Sequence, residues 1–191
     1  MESTAEKQPV QPFCLYLEPT LKYKSNSVII GLSIHWKRGV YMATAKVIFA
    51  TITGNNEDVA DIIIEKLEQL GVDVQKEEIS QADATEFEDV DICVVVPYTY
   101  DEGALPEEGL DFYDDLKDVD LKGKIYGCAG SGDTFYEDDY CRAVTDFSAT
   151  LKAAGATQGA KDVFVNLAPE ADDVKHLDAF AEQLVQAQAN Q

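Results

Sequence analysis

The segment Thr51-Ile52-Thr53-Gly54-Asn55-Asn56 lies between a short apolar run and a helical pattern, and its residue types suit an anion. At such a turn the backbone N–H groups of a helix start point into one concavity, the Thr hydroxyls add donors, and Gly54 lets a ligand come close. The segment contains no Lys or Arg. Neither the G-x-x-x-x-G-K-[ST] pattern of a triphosphate loop nor the G-x-G-x-x-G of a dinucleotide site is present. The chemistry this predicts is a phosphate monoester held mainly by neutral donors.

Two further stretches have the composition to hold a flat ring. Pro97-Tyr98-Thr99-Tyr100-Asp101-Glu102-Gly103-Ala104-Leu105-Pro106 and Gly130-Ser131-Gly132-Asp133-Thr134-Phe135-Tyr136 each set aromatics beside small or acidic turn residues. Tyrosines from two neighbouring loops can sandwich a conjugated ring, and offset stacking contributes about 0.5–1.5 kcal/mol per aromatic pair beyond area burial. A Thr/Gly/Asn turn or a loop tyrosine is commonplace alone; their conjunction points to a ligand. Residues for acid–base, nucleophilic or metal chemistry are not grouped. His35 and His176 stand isolated, and Cys14, Cys93, Cys128 and Cys141 show neither C-x-x-C spacing nor the nearby His of a zinc site. Cys93 and Cys128 fall in apolar runs and read as buried free thiols of a reducing compartment.

The elements that must position these loops alternate between strand and helix. Lys46-Val47-Ile48-Phe49-Ala50 is a short apolar strand. Val59, Ile62, Ile63, Leu67 and Leu70 then fall at helical spacing, with Glu57 and Asp58 in the first turn and Gly71 as the stop, predicting a helix over 55–70. Val72 to Ile79 alternates and reads as a half-covered strand, and Ile92 to Val96 as a central one. A second helix is expected over 105–116 and a fourth strand over 124–129. Tyr136, Tyr140, Ala143, Val144, Phe147 and Leu151 mark a long helix ending near Gly155, followed by a strand over 163–167 and a helix over 172–187. Strands buried on both faces and alternating with helices predict right-handed crossovers in a doubly wound α/β sheet. Ligands of such sheets bind beyond the carboxyl ends of the strands at the switch point, which is where the loops after the first, third and fourth strands lie.

Charge narrows the partners. The chain holds 36 acidic and 15 basic residues, a formal net charge of −21. Residues 1–41 contain five of the basic and three of the acidic side chains, so residues 42–191 carry ten against 33, or −23. Such a field repels nucleic acid and anionic lipid and attracts basic proteins over roughly 8–10 Å. The longest apolar stretch, Val28 to Ile34, falls far short of the roughly 20 residues that cross a bilayer. A cytoplasmic monomer that touches neither nucleic acid nor membrane is expected. Residues 1–41 are interrupted by Pro9, Pro12 and Pro19 and read as an appendage, disordered or outside native translation. Lys37-Arg38-Gly39-Val40-Tyr41 ahead of Met42 can be back-translated as a purine-rich ribosome-binding stretch before a start codon. Residues 42–191 form the expected domain.

The motifs T-x-T-G-N, Y-T-Y-D-E-G-x-L-P and G-S-G-D-T-F-Y, in this order and spacing, resemble the three flavin mononucleotide (FMN) loops of flavodoxins. The resemblance covers residues 42–191 and is to the short-chain form, without the roughly 20-residue insertion in the last strand. It implies a five-stranded parallel sheet of order 2-1-3-4-5 with helices on both faces. It also implies a low-potential one-electron carrier that shuttles non-covalently bound FMN between semiquinone and hydroquinone, and that is not an enzyme. Thr51, Ile52, Thr53, Gly54, Asn55 and Asn56 would hold the phosphate. Tyr100 and Tyr136 would flank the isoalloxazine, and Pro97, Tyr98, Thr99, Asp101, Glu102, Gly103, Ser131, Gly132, Asp133 and Phe135 would complete the site. Basic-patched redox proteins, such as reductases of the ferredoxin-NADP type, would dock on the rim of Glu102, Glu107, Glu108, Glu137, Asp138 and Asp139.

The chain departs from the family's pattern at three places. Asn56 stands where Thr or Ser is usual and would donate to the phosphate through its side-chain amide. Tyr100 replaces a frequent Trp, with less stacking area. Asp101 replaces a frequent Gly in the peptide that turns toward flavin N5, where positive φ costs an L-residue roughly 1–2 kcal/mol and would weaken the semiquinone. A small insertion is expected within Glu137-Asp138-Asp139-Tyr140. The rival readings are a flavin-dependent NAD(P)H or quinone reductase and a ribonucleotide-reductase-activating relative. A response-regulator receiver fits poorly, because Thr51, Pro97 and Ala168 occupy the places of its acidic pair, phosphoacceptor Asp and Lys.

Overall fold

The computed structural model describes residues 42–191 in full and residues 16–24 and 27–35 as backbone. Those two short runs pair as an antiparallel hairpin, β1 (Tyr16–Lys24) and β2 (Ser27–His35), with Tyr16 opposite His35 and Lys24 opposite Ser27. The sequence reading expects no regular structure here; the β-branched run Val28-Ile29-Ile30 favours extended backbone and accounts for the difference. The readings of Cys14, of the His35 side chain and of Lys37 to Tyr41 lie outside the described residues. The hairpin belongs to one compact unit and residues 43–191 to another.

The second unit is the doubly wound domain. In chain order it contains β3 (Thr44–Phe49), α1 (Asn55–Gln69), β4 (Asp73–Glu78), β5 (Ile92–Val96), α2 (Leu110–Asp115), β6 (Ile125–Gly132), α3 (Arg142–Ala153), β7 (Thr157–Gln158), β8 (Val163–Asn166) and α4 (Ala171–Ala189). All pairings are parallel and run β4-β3-β5-β6, with β7 and β8 both on the far side of β6. This is the expected order, with the fifth strand broken in two. The break, residues 159–162, is short and holds no long insertion. Asp162 sits in it, off the ladder, accepting from Ser148 Oγ at 3.1 Å and Gln158 Nε2 at 2.9 Å.

Every residue of β5 is buried, as a central strand requires. One face of the sheet packs Val47, Val94 and Ile125 against Val59, Ile63 and Leu67 of α1 and Leu177, Phe180 and Leu184 of α4. The other packs Ile48, Val95 and Tyr126 against Phe112 of α2 and Val144, Phe147 and Leu151 of α3. Each fully buried Val, Leu, Ile or Phe side chain contributes about 1.5–3 kcal/mol, so both layers hold the strand ends in register. Cys93, Cys128 and Cys141 are buried free thiols.

Two helices start later than their periodicity predicts. Pro106, at ψ 125°, excludes 105–106 from α2, and a 3₁₀ turn over Glu107–Gly109 leads into it. In the expected long helix, Glu137 (φ 42°, ψ −104°) and Cys141 (φ 54°) break the helical path, so α3 begins at Arg142. Tyr136 therefore sits in a 3₁₀ segment over Thr134–Asp139 that is kinked at Glu137, and Tyr140 caps its end. The first departure from the helical path, at Glu137, falls within the stretch where the small insertion is expected, and Cys141 lies just beyond it.

Candidate functional site

The carboxyl ends of β3, β5, β6 and β8 open on one cleft of about 210 Å³. Its walls are Thr51, Ile52, Thr53, Asn55 and Asn56 from the first loop and Tyr98, Thr99 and Tyr100 from the second. Ser131, Gly132, Asp133 and Tyr136 from the third loop and Leu167 complete it. The chain thus brings all three predicted loops together. Gly54, Pro97, Asp101, Glu102, Gly103 and Phe135, also predicted as site residues, do not line the cleft; several of them shape the loops that do.

The first loop presents a helix start without a side-chain cap. Gly54, at φ 93°, is the N-cap of α1, and its N–H donates to Thr51 Oγ1 at 2.9 Å, closing the turn on itself. The first amides of a helix have no intrahelical acceptor, so those of Asn55 and Asn56 are donors held ready beside the cleft. No cation lines it. Neutral donors at an uncapped helix start fit a phosphate monoester, as the residue types predict.

Asn56 has a task the sequence reading did not foresee. It is 1% exposed; its Nδ2 donates to Ala50 O at 3.0 Å and its Oδ1 accepts from Ser131 N at 2.7 Å. The side-chain amide expected to reach the phosphate is instead a brace that ties the end of β3 to the third loop. What Asn56 holds for a ligand is its backbone N–H.

The other loops are braced by similar means. A Cβ at Gly130 would stand 2.2 Å from the carbonyl oxygen of Pro97, so only glycine lets the roots of the second and third loops meet. Thr99 Oγ1 accepts from Ala143 N at 3.1 Å, anchoring the second loop to α3. Tyr100 and Ala104 exchange backbone bonds of 2.9 and 2.7 Å, which makes Asp101-Glu102-Gly103 the tip of a tight hairpin with Asp101 at φ 37°. Tyr98 donates to Glu108 at 2.9 Å; burial first, and then this carboxylate, push its phenol well above the ordinary range and keep it neutral. In the third loop Asp133 Oδ1 accepts from Phe135 N at 2.9 Å, so the carboxylate caps its own turn.

The walls are aromatic and open. Tyr100 is 57% and Tyr136 45% exposed, side chains whose faces a flat ring would cover. Phe135 meets Tyr136 edge-on at 5.5 Å but is 80% exposed and does not line the cleft. Pockets that enclose drug-sized ligands run to about 300–1,000 Å³, so a ligand in this smaller cleft keeps an edge at the surface. Among the described residues no group of His, Cys, Asp and Glu is placed to hold a metal. The donors, the stacking faces and the open edge together fit an isoalloxazine with a phosphorylated tail.

Leu167 is the wall residue that sequence reasoning missed. It reads as the last residue of a strand, and no pattern marks it as a loop residue turned to a ligand.

Comparison with known proteins finds relatives named as flavodoxins. The family model for flavodoxin matches residues 47–180. Probable flavodoxin 1 of Bacillus subtilis (strain 168) is 38% identical over 141 residues, spanning 73% of this chain and 89% of the relative. Among solved structures, a short-chain flavodoxin associated with a bacterial microcompartment superposes with a TM-score of 0.76 at 53% identity, covering 77% of this chain and 99% of that one. The flavodoxin of Streptococcus pneumonia TIGR4 gives 0.74 at 48% identity, covering 75% and 99%.

Proposed function

The chain belongs to the flavodoxin family, FMN-binding electron carriers, and on that premise we propose that it exchanges single electrons at low potential with separate redox proteins and turns over no substrate of its own. The supporting observation is the convergence of three loops on one open cleft, with uncapped amides at one end and two half-exposed tyrosines as walls. FMN bound there supplies the redox chemistry. The amides of Asn55 and Asn56 and the Thr51 and Thr53 hydroxyls would hold its phosphate, and Tyr100 and Tyr136 would cover its ring faces. Backbone groups of Gly132 and Asp133 would meet its polar edge.

The low potential follows from charge. Residues 42–191 carry −23, and Asp101, Glu102 and Asp133 belong to the second and third loops. Adding negative charge in a poorly screened site among like charges is unfavourable, which resists reduction. The same field steers basic-patched partners, reductases of the ferredoxin-NADP type among them, to the exposed rim of Glu102, Glu107, Glu108, Glu137 and Asp138, in complexes weakened by salt. No helix among the described residues is long and apolar enough to cross a membrane, which accords with a carrier working in the cytoplasm.

The direct test is the visible spectrum of the purified protein, identification of the released cofactor and titration of the apoprotein with FMN. A flavin spectrum and tight one-to-one rebinding are expected. An apoprotein with no affinity for FMN would overturn the proposal, and rapid oxidation of NAD(P)H by the purified protein alone would overturn the carrier role in favour of a reductase.

A further inference from the structure

We propose that Leu167, at the carboxyl end of the divided edge strand, is a fourth contact to the bound cofactor, held against it by a strained backbone. The proposal rests on the FMN reading of the cleft. Leu167 lies outside the three motif loops, yet it lines the same cleft and is 50% exposed. Its φ of 59° is a left-handed conformation that costs an L-residue about 1–2 kcal/mol, and a bulky residue without a side-chain acceptor adopts it only where its surroundings impose it.

The surroundings here are two hydrogen bonds to the third loop. The N–H of Leu167 donates to Gly132 O at 2.8 Å, and Asn166 Oδ1 accepts from Thr134 N at 3.0 Å. The ladder of β8 with β6 runs from Ala129–Val163 to Gly132–Asn166, so the register of the divided strand delivers Leu167 one residue beyond the last pair. There the chain must turn toward α4 while keeping its bond to Gly132. A leucine at such a position, where glycine or asparagine would be less strained, is accounted for by what its side chain touches. In this cleft that is an apolar surface of the ligand.

The test separates contact from fold by comparing Leu167→Ala, Leu167→Gly and Leu167→Met in the full chain, with FMN affinity read by fluorescence quenching and apoprotein stability by urea unfolding. Ala and Gly are both expected to weaken FMN binding about ten-fold, equivalent to about 1.4 kcal/mol. Met should restore affinity to within about two-fold of the parent. Apoprotein stability should rank differently, with Gly above Ala, because Gly relieves the positive φ while both lack the side chain. Unchanged affinity in both Ala and Gly, with the parent binding FMN normally, would overturn the contact while leaving the FMN reading intact. Affinity that follows apoprotein stability across the three variants would overturn it too, by showing that the residue acts through the fold. A parent that does not bind FMN would instead remove the reading beneath both.

Discussion

Replacing Asn56 by Ala should damage the fold and the cofactor site together, by an amount the hydrogen bonds set. The substitution removes the partners of Ala50 O and Ser131 N, held at 3.0 and 2.7 Å in a place 1% exposed. A buried backbone group left unsatisfied costs about 1–3 kcal/mol. Because the neighbouring cleft can admit water to one of the two, a total of about 2–4 kcal/mol is expected. With a mid-range urea dependence of about 2 kcal/mol per molar, the apoprotein midpoint should fall by about 1–2 M. The brace spans 75 residues of sequence and sets the first loop against the third, so FMN affinity should fall as well. Asn56→Asp sharpens the reasoning through its pH dependence. It keeps the acceptor for Ser131 N but faces Ala50 O with a carboxylate, whose folded pKa burial raises above the unfolded value of about 3.9. Protonated, it can donate to Ala50 O, so this variant should lose stability relative to the parent as pH rises through the folded pKa and regain it on acidification. An Asn56→Ala apoprotein that unfolds within about 0.3 M of the parent and binds FMN as tightly would refute the argument.

Three other outcomes follow from the same geometry. Asp101→Gly should stabilise the apoprotein by up to about 1 kcal/mol in urea unfolding, since Asp101 already stands at φ 37° and glycine removes that strain; an unchanged midpoint counts against strain at that peptide. Phe135→Ser should leave FMN affinity intact, because the ring points to solvent, yet slow electron transfer to a basic haem protein such as cytochrome c in stopped-flow; equal rates would show that the exposed ring takes no part in docking. Burial pushes the thiols of Cys93 and Cys141 up to about 12, so near pH 8 their thiolate fraction is on the order of 10⁻⁴, and it pushes that of Cys128 well above its ordinary value. In a Cys14→Ser background the folded protein should therefore be silent to Ellman's reagent until urea unfolds it, and prompt labelling would contradict the packing around β5, β6 and α3.

The parts of the site that were legible in the sequence are those whose signal is local. Thr51 to Asn56 announce a phosphate turn because a helix start and its N–H groups are encoded within one short window, and α1 follows its periodicity closely. The start of α3 is not legible in the sequence because hydrophobic spacing persists through Tyr136 and Tyr140 while the backbone at Glu137 and Cys141 leaves the helical region, and periodicity reports side-chain type rather than φ. The brace made by Asn56 is not legible because a polar residue beside an anion loop points to the anion, whereas its acceptor and donor partners are set by where the ends of β3 and β6 lie.

Leu167 and Asn166 were hidden for a related reason. Their contribution comes from the division of the edge strand, and β7 and β8 each pair with a different part of β6, a choice that no window around residues 157–167 contains. The residues that recognise the ligand and those that hold the recognisers in place therefore differ in how far along the chain their determinants lie. In a doubly wound sheet the first kind sit on loops that follow single strands, while the second kind act between strands. Mutations of the second kind should pass unnoticed in a motif search while shifting affinity and stability together, which is the signature expected of Asn56. Leu167 is set apart by the prediction that its affinity and stability effects part company, since its backbone is held by the sheet and its side chain by the ligand.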